Sequence, residues 1–384
     1  MPSPSNAMSL DSPSSAREPG PRRQHDADSQ PVTALELFFD LVFVFTITQL
    51  TELLVHDLDP LGIAQLLLIF GVSYWMYGGY VWLTNNLPPD RPARQLLLLL
   101  GMAAFLVQAL AIPHAFGDAG LVFGFAYLAV VLVHGALFRL ATSAITRVVP
   151  FNIASALLVI AAGFARGRTL EYSLWGAAML LQFATPYLSG IGDFRIQPGH
   201  FVERHGLLML VAFGESVVAI GIGAAGLHLD SGVIAAAVLG LALVACLWWA
   251  YFVGDSERAE AALASAAPGE RPWLAINGFF YAHIPMLLGV VFIAAGVSSA
   301  IGHAAEPLAL GPSAALAGGV LLYLAGDVAF RRTLRIGSGA ARAVAAVVAL
   351  GSIPLGRSSA ALQLVALVVV FVLMFGSEAS RSES

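Results

Sequence analysis

The chain has 384 residues, of which 58% are hydrophobic and only 11% are charged. Soluble domains carry roughly 25% charged residues, so this composition excludes an ordinary soluble protein and indicates an integral membrane protein. The net charge of -5 is small, and the basic residues form no patch, which argues against nucleic-acid binding.

The two ends of the chain are polar. Residues 1–31 are rich in Ser, Pro, Asp and Arg and contain no apolar stretch of the kind found in a signal peptide. We predict a disordered cytoplasmic tail over 1–31 and a second, short cytoplasmic tail over 377–384. The first apolar span is then expected to act as an uncleaved anchor.

Between the tails, apolar runs of membrane-spanning length recur and are separated by short turns with Pro, Gly, Asp or Arg. Runs this long and apolar predict helices rather than barrel strands, so the expected fold is all-α with about twelve transmembrane helices. The predicted spans are 32–54, 61–84, 93–113, 119–140, 145–165, 170–188, 205–226, 231–253, 273–299, 308–329, 338–355 and 359–376.

The distribution of arginine predicts the orientation, because the chain has no lysine. With the N-terminus placed in the cytoplasm, sixteen arginines fall on the inner side of the twelve spans and three on the outer side. This asymmetry follows the positive-inside rule and favours an even number of spans with both termini inside. The predicted location is a cell membrane, with the N- and C-termini in the cytoplasm.

Four landmarks occur twice, in the same order and at similar separations. The stretch Glu36-Leu-Phe-Phe-Asp-Leu opens the first span, and Glu203-Arg-His-Gly-Leu-Leu lies at the seventh. The other pairs are the aromatic clusters Tyr74–Tyr77 and Trp248–Tyr251, the turns Asp90-Arg91-Pro92 and Glu270-Arg271-Pro272, and the span ends Phe138-Arg139 and Phe330-Arg331. We predict two parallel six-helix repeats, over 32–188 and 205–376, joined by a cytoplasmic linker over 189–204.

Two carboxylates lie in the first span, four residues apart. At 3.6 residues per turn, Glu36 and Asp40 share a helix face that Phe43 and Ile47 continue inward. Glu36 lies close enough to the helix start to act as a cap, whereas Asp40 lies a turn deeper and needs a partner, a proton or water. An ionisable group inside a span is a functional candidate by default, and a structural ion pair is the alternative.

The seventh span carries Glu215 near its middle, followed by Ser216. Alignment of Glu36 with Glu203 places Glu215 opposite Thr48, next to Gln49, so each repeat has a polar cluster midway along its first helix. In such repeats, substrate and ion sites lie at the repeat interface near the bilayer midplane. We expect these residues to belong to a pathway or coupling site, and Gly214 to allow a close helix contact beside Glu215.

A third group, His200, Glu203 and Arg204, is predicted where the linker enters the seventh span. It forms either an ion-pair network at the helix start or a cytoplasmic gate in which Arg204 pairs with Glu36 or Asp40.

Other polar residues favour structural roles. Asp327 and Arg331 have the spacing of an ion pair within one helix, and His134 and His283 are expected to be hydrogen-bonded packing residues. No metal-ligand spacing, phosphate-binding loop or nucleophile motif occurs, so no cofactor is expected. A membrane enzyme acting on lipids, with Glu36, Glu203 and His200 as acid/base groups, is a further hypothesis without such a motif.

The first-span motif, together with His200-Phe-Val-Glu-Arg-His-Gly and Phe213-Gly-Glu-Ser, resembles the bacterial low temperature requirement protein A family from about Thr33 to Phe375. The resemblance implies a multi-pass membrane protein associated with growth in the cold, and it supplies no settled biochemical activity.

More distantly, Phe38-Phe39-Asp40 is similar to the Phe-Ser-Asp motif of the lysosomal potassium and proton channels with two six-helix repeats. Phe replaces Ser here, and Gly206-Leu207-Leu208 stands where a second motif is expected. This resemblance implies that the first and seventh helices line a pathway.

Two functional hypotheses remain. The first is an ion- or proton-coupled transporter or channel whose pathway between the first and seventh helices carries monovalent cations or protons. The second is a non-transporting membrane scaffold or cold-stress factor whose buried carboxylates are structural. Beyond the lipid bilayer, the sequence identifies no partner, and it does not predict an enzyme.

Overall fold

The computed structural model describes residues 31–56 and 58–382, so nearly all of the predicted N-terminal tail over 1–31 lies outside the described residues. Within the described part of the chain the structure contains helices and no β-strand. The helices are α1 (Ala34–His56), α2 (Pro60–Asn86), α3 (Pro92–Leu110), α4 (Gly120–Phe138), α5 (Val149–Phe164), α6 (Thr169–Ser189), α7 (Pro198–Ala224), α8 (Ser231–Phe252), α9 (Asp255–Ser265), α10 (Arg271–Ala300), α11 (Leu310–Leu334), α12 (Ala340–Gly356) and α13 (Ala360–Ser382).

The predicted all-α membrane fold is confirmed. Every helix except α9 corresponds to one of the twelve predicted spans. Among the described residues, nine helical segments are long and apolar enough to cross a bilayer, and Val149–Phe164 and Ala340–Gly356 are shorter apolar helices. The remaining span, α6, has 21 residues.

Local sequence explains where several helices begin. The side chain of Asp59 accepts a hydrogen bond from the Gly62 amide at the start of α2, and Asp230 caps α8 in the same way. Pro92 and Pro198 occupy the first position of α3 and α7, where a missing N–H costs nothing and the fixed φ suits a helix.

The structure differs from the predicted spans at three places. The seventh helix begins at Pro198 rather than 205, so the second half of the predicted linker is helical. A short polar helix, α9, was not predicted because it is too short and too charged to read as a span. The last helix continues to Ser382 through most of the predicted C-terminal tail.

Helix α10 is interrupted by a π-helical segment over Ala275–Tyr281. The amide of Ala282 donates to the carbonyl of Asn277, five residues earlier, and Pro285 follows shortly. Because proline has no N–H and clashes with the preceding turn, the helix relaxes its hydrogen-bond ladder just before it. This irregularity is invisible in a hydropathy pattern.

The same helix pairs pack in each half of the molecule. In the first half, α1 contacts α2 and α3, α2 contacts α6, and α3 to α6 contact one another in sequence. In the second half, α7 contacts α8 and α10, α8 contacts α13, and α10 to α13 contact one another in sequence. This arrangement agrees with two six-helix repeats, and α1 meets α7 where the halves join.

Candidate functional site

The N-terminal turn of α1 combines a cap with an ion pair. Thr33 and Glu36 form a capping box: the Thr33 amide donates to Glu36 Oε2 at 2.9 Å, and the Glu36 amide donates to the Thr33 hydroxyl at 3.4 Å. The other oxygen, Oε1, accepts from Arg204 Nη1 and pairs with His200 Nε2, each at 3.0 Å. Glu36 is therefore both a cap and a partner of α7.

Arg204 is wholly buried and connects α7 to α1 and α2. Its Nη2 donates to Asp40 Oδ1 at 2.6 Å, and its Nη1 donates to Glu36 and to the Thr84 hydroxyl. The Tyr77 hydroxyl donates to the same Asp40 oxygen at 2.9 Å. We call Glu36, Asp40, His200 and Arg204 the inner charge cluster. The structure thus forms the ion pairs of the predicted gate, between Arg204 and both carboxylates.

The hydrogen bonds of Asn85 define the tautomer of His200. The Asn85 amide is oriented by the backbone of Gln197, since its oxygen accepts from the Gln197 N–H and its nitrogen donates to the Gln197 carbonyl. The same nitrogen faces His200 Nδ1 at 3.2 Å, so Nδ1 accepts. The ring hydrogen then lies on Nε2, which donates to Glu36. In this arrangement the imidazole of His200 connects Asn85 to Glu36.

Glu203 does not join the inner charge cluster. Its side chain is exposed, accepts from the Val32 amide at 3.4 Å and borders an open cavity of about 450 Å³. His200 lies on the wall of the same cavity, as do Ser256 and Glu260 of α9. The cavity therefore reaches one member of the cluster from outside the helix bundle.

Deeper along α1, Thr48 donates a 2.5 Å hydrogen bond to Glu215 Oε2 on α7. Thr48 lies eight residues beyond Asp40, which corresponds to about 12 Å along a helix. Thr48 and Glu215 are 167 positions apart, the same offset that relates Glu36 to Glu203 in the predicted repeat. The contact therefore joins two positions, one on α1 and one on α7, that the repeat alignment treats as equivalent.

Glu215 is buried and, among the described residues, forms no ion pair with an arginine or a histidine. The neighbouring Ser216 hydroxyl is buried without a hydrogen-bond partner in the described chain. Gln49 is half-buried and makes no side-chain hydrogen bond to another described residue. Of the residues predicted to form the polar cluster, the structure joins Thr48 to Glu215.

An apolar layer separates Glu215 from the inner charge cluster. On α1 it consists of Phe43 and Ile47, and on α7 it includes Leu208 and Ala212, all without exposed surface. Phe43 stacks on Tyr77 with the ring centroids 4.2 Å apart. The helix face predicted to run inward from Glu36 is buried, as expected, and its apolar residues separate the inner charge cluster from Glu215.

Several smaller predictions were wrong. Asp327 pairs with Arg342, whose Nη1 lies 2.7 Å from both carboxylate oxygens, rather than with Arg331. A side chain at Gly214 would meet nothing within 4 Å, so this glycine mediates no close helix contact. His283 is hydrogen-bonded as predicted, whereas His134 makes no well-formed hydrogen bond among the described residues.

Sequence reasoning missed the contribution of α2 to the site. Tyr77, Thr84 and Asn85 all contact the cluster, but the only signal was a run of polar residues at the inner end of an apolar span. Within the described residues, no group of three or more His, Cys, Asp or Glu side chains is arranged to hold a metal ion.

Comparison with known proteins places these observations in a family. The model of the bacterial low temperature requirement A protein (LtrA) matches residues 31–376 of the chain. A relative from Rhizobium meliloti (strain 1021), described as an uncharacterized protein, is 30% identical over 334 residues, covering 81% of this chain and 79% of the relative. Both the inner charge cluster and Glu215 lie within the matched region.

Proposed function

The chain belongs to the bacterial low temperature requirement A family, and we propose that it transports protons or monovalent cations along the contact between α1 and α7. Family membership establishes a multi-pass membrane protein. It leaves the activity to be argued from the site.

Glu215 is the observation that carries the proposal. A carboxylate near the middle of a span is costly unless it is paired, protonated or in contact with water or a cation. The only side-chain hydrogen bond to Glu215 in the described chain comes from Thr48, which supplies no positive charge. Glu215 lacks a fixed counter-charge and lies where the two predicted repeats meet. A carboxylate in this position is suited to bind a proton or a monovalent cation transiently.

The cavity at the inner end of α7 supports a cationic substrate. It carries the carboxylates Glu203 and Glu260 and ends at His200, which contacts Glu36. Carboxylates around the mouth of a pathway raise the local concentration of cations and repel anions. A cation that enters here meets the inner charge cluster before the apolar layer at Phe43 and Ile47.

The arrangement corresponds to a closed state. Arg204 pairs with both carboxylates on α1 and lies between α1 and α7, and the apolar layer lies beyond it. Transport would require Arg204 to leave one carboxylate and the two helices to separate at Phe43. We further propose that this cluster-bearing end faces the cytoplasm of a bacterial inner membrane, in agreement with the arginine asymmetry.

One observation favours the alternative, a non-transporting scaffold or cold-stress factor. Glu36 and Asp40 are both paired with Arg204, as in a structural ion pair that fixes the position of α7 against α1. The scaffold hypothesis gives Glu215 no role beyond its bond to Thr48. Replacement of Glu215 therefore distinguishes the two hypotheses better than replacement of Asp40.

The test is flux of protons and of K⁺ into proteoliposomes that contain the purified full chain. We compare the wild type with Glu215→Gln, which keeps the size and a hydrogen-bond acceptor for Thr48 but cannot bind a proton or cation as a carboxylate. Glu52→Gln is the matched control, because Glu52 is an exposed carboxylate on α1. We expect a decrease of at least about tenfold for Glu215→Gln, equivalent to about 1.4 kcal/mol, and no change for the control.

Melting temperatures in detergent identify folded protein. If folded wild type carries neither protons nor K⁺, or if Glu215→Gln conducts as well as the wild type, the transport proposal is wrong. If the wild type shows no flux and Glu215→Gln lowers the melting temperature, the scaffold hypothesis is supported.

A further inference from the structure

A second cluster of charges lies in the other half of the molecule, where α9, α11, α12 and α13 meet. Asp255 of α9 pairs with Arg258 and lies 2.9 Å from Arg342 Nη1. Arg342 also bonds Asp327 and Glu378, and Arg331 donates to Glu378 at 2.7 Å. The three arginines and Glu378 border an open groove of about 500 Å³, which we call the arginine groove.

The groove presents arginine at its surface because the acids lie beneath. Asp255 and Asp327 are completely buried, and neither lines the groove, whereas Arg258, Arg331 and Arg342 do. The single carboxylate on its wall is that of Glu378. The lining of the groove therefore carries three guanidinium groups, of which that of Arg258 is exposed, and one carboxylate, although the complete cluster is electrically balanced.

Two of these arginines have unused hydrogen-bond donors. The side chain of Arg331 is nine-tenths buried, and its Nε has no hydrogen-bond partner among the described residues, the nearest carboxylate oxygen of Asp255 being 3.5 Å away. The Arg258 side chain is 51% exposed, and its one hydrogen bond within the described chain is to Asp255. Helix α12 also begins at the groove, and the positive end of its dipole favours an anion.

The other wall of the groove is apolar and aromatic. Trp249 of α8 and Phe375 of α13 lie on it with their ring centroids 6.5 Å apart, and Trp249 is 53% exposed. Tryptophan at the end of a span is typical of the membrane interface, where one side is apolar and the other wet. The groove thus changes from aromatic to arginine-rich over about one helical turn, as a phospholipid does from acyl chain to phosphate.

The first half of the molecule shows that the fold does not require these charges. In the predicted repeat, a cavity between α2, α4, α5 and α6, also lined by α10, corresponds to the groove, and Trp75 of the first aromatic cluster lines it as Trp249 of the second cluster lines the groove. Its lining contains no Arg, Lys, Asp or Glu. Charge is therefore a specific property of the groove in the second half rather than a consequence of the repeat.

We propose that the arginine groove binds the phosphate of an anionic phospholipid from the surrounding leaflet, with the acyl chains along Trp249 and Phe375. Arg258 and Arg331 donate to the phosphate oxygens, and guanidinium groups suit this ligand because they form paired hydrogen bonds to phosphate. Binding at this position connects the polar helix α9 to the membrane surface.

The test is native mass spectrometry of the detergent-solubilised full chain with phosphatidylglycerol or phosphatidylcholine of identical acyl chains. We expect the wild type to retain phosphatidylglycerol in preference to phosphatidylcholine. Arg258→Gln should weaken phosphatidylglycerol binding about fivefold, the change expected for one arginine near an anionic surface, and Arg258→Lys should keep most of it. Arg147→Gln is the matched control, because Arg147 is also an exposed arginine in an ion pair, with Asp193.

Equal retention of the two lipids, or equal losses in Arg258→Gln and Arg147→Gln, would overturn the proposal. Inorganic phosphate is added in a separate arm: displacement of the lipid by millimolar phosphate would show that the groove recognises free phosphate rather than a lipid. Melting temperatures in lipid-free detergent show whether Arg258→Gln is folded. If Arg258→Gln fails to fold, lipid retention by Arg258→Lys is compared with that by the wild type. Only a lipid site predicts that Arg258→Lys still prefers phosphatidylglycerol to phosphatidylcholine.

Discussion

The two oxygens of Glu36 serve different parts of the molecule. One belongs to the capping box with Thr33 at the start of α1, and the other accepts from Arg204 and His200 on α7. A residue that reads as a cap in the sequence therefore also joins the two repeats. The role as a cap follows from the spacing of Thr33 and Glu36. The second role depends on the position of α7, whose residues His200 and Arg204 are 164 and 168 positions away in the sequence.

Arg204 is the residue on which this part of the structure depends most. Replacement by Gln would leave Glu36 and Asp40 buried without a positive partner, and removal of one partner from a buried pair typically costs about 3–5 kcal/mol. We expect Arg204→Gln to lower the free energy of unfolding in detergent by about this amount, as measured by chemical denaturation.

The double variant R204Q/D40N provides the control. It removes the carboxylate that lies closest to Arg204, so it should be more stable than R204Q alone by about 1–3 kcal/mol. If both variants lose the same stability, the ion pair between Arg204 and Asp40 contributes nothing and the cluster is not held together as described here.

At the scale of the helices, glycine determines how closely α10 and α11 approach. A side chain at Gly289 would lie 2.6 Å from the Gly319 carbonyl oxygen and 2.7 Å from the Tyr323 nitrogen, both of which are backbone atoms. Backbone of a packed helix cannot move away as a flexible side chain can. Small residues at such positions let membrane helices pack by van der Waals contact.

Gly289→Ala and Gly214→Ala therefore form a matched pair of substitutions within transmembrane helices. We expect Gly289→Ala to lower the melting temperature, with a cost of about 1–3 kcal/mol from overpacking. Gly214→Ala meets nothing within 4 Å and should be neutral or stabilising by about 0.5–1 kcal/mol, because alanine is the better helix former. Equal effects of the two substitutions would contradict the close packing of α10 against α11.

The sequence predicted helices better than it predicted contacts between them. Each of the twelve predicted spans corresponds to a helix, although the seventh helix begins seven residues earlier than predicted, because length and apolarity are local properties of the chain. The partner of Asp327 was wrong because an i,i+4 spacing only permits a pair, and the rotation of α11 directs Asp327 to Arg342 on α12 instead. Helix α9 was missed for the opposite reason, since its sequence resembles a polar loop.

The inner charge cluster was predicted in part. The four-residue spacing of Glu36 and Asp40 placed both on one helix face, and the gate hypothesis paired Arg204 with one or the other. The contributions of Tyr77, Thr84 and Asn85 could not be predicted, because the relative rotation of α2 decides which of its polar side chains reach the cluster. The separation of Glu203 from the cluster is likewise set by the rotation of α7.

At the scale of the whole molecule, the contact between Thr48 and Glu215 provides a test of the predicted repeat. The repeat alignment makes each residue the equivalent of the other, so exchanging them should rebuild the same hydrogen bond in the opposite sense. On this prediction the natural sequence uses one of two nearly equivalent arrangements.

This reasoning predicts the behaviour of T48E, E215T and the exchange variant T48E/E215T. T48E alone places a second carboxylate beside Glu215, and an acidic residue at the centre of a span costs about 3 kcal/mol. The exchange variant restores one carboxylate and one hydroxyl at the axis, so its free energy of unfolding in detergent should return to within about 1 kcal/mol of the wild type. If the exchange variant instead loses as much free energy of unfolding as the two single variants together, positions 48 and 215 are not equivalent and Glu215 does not lie on a repeat axis.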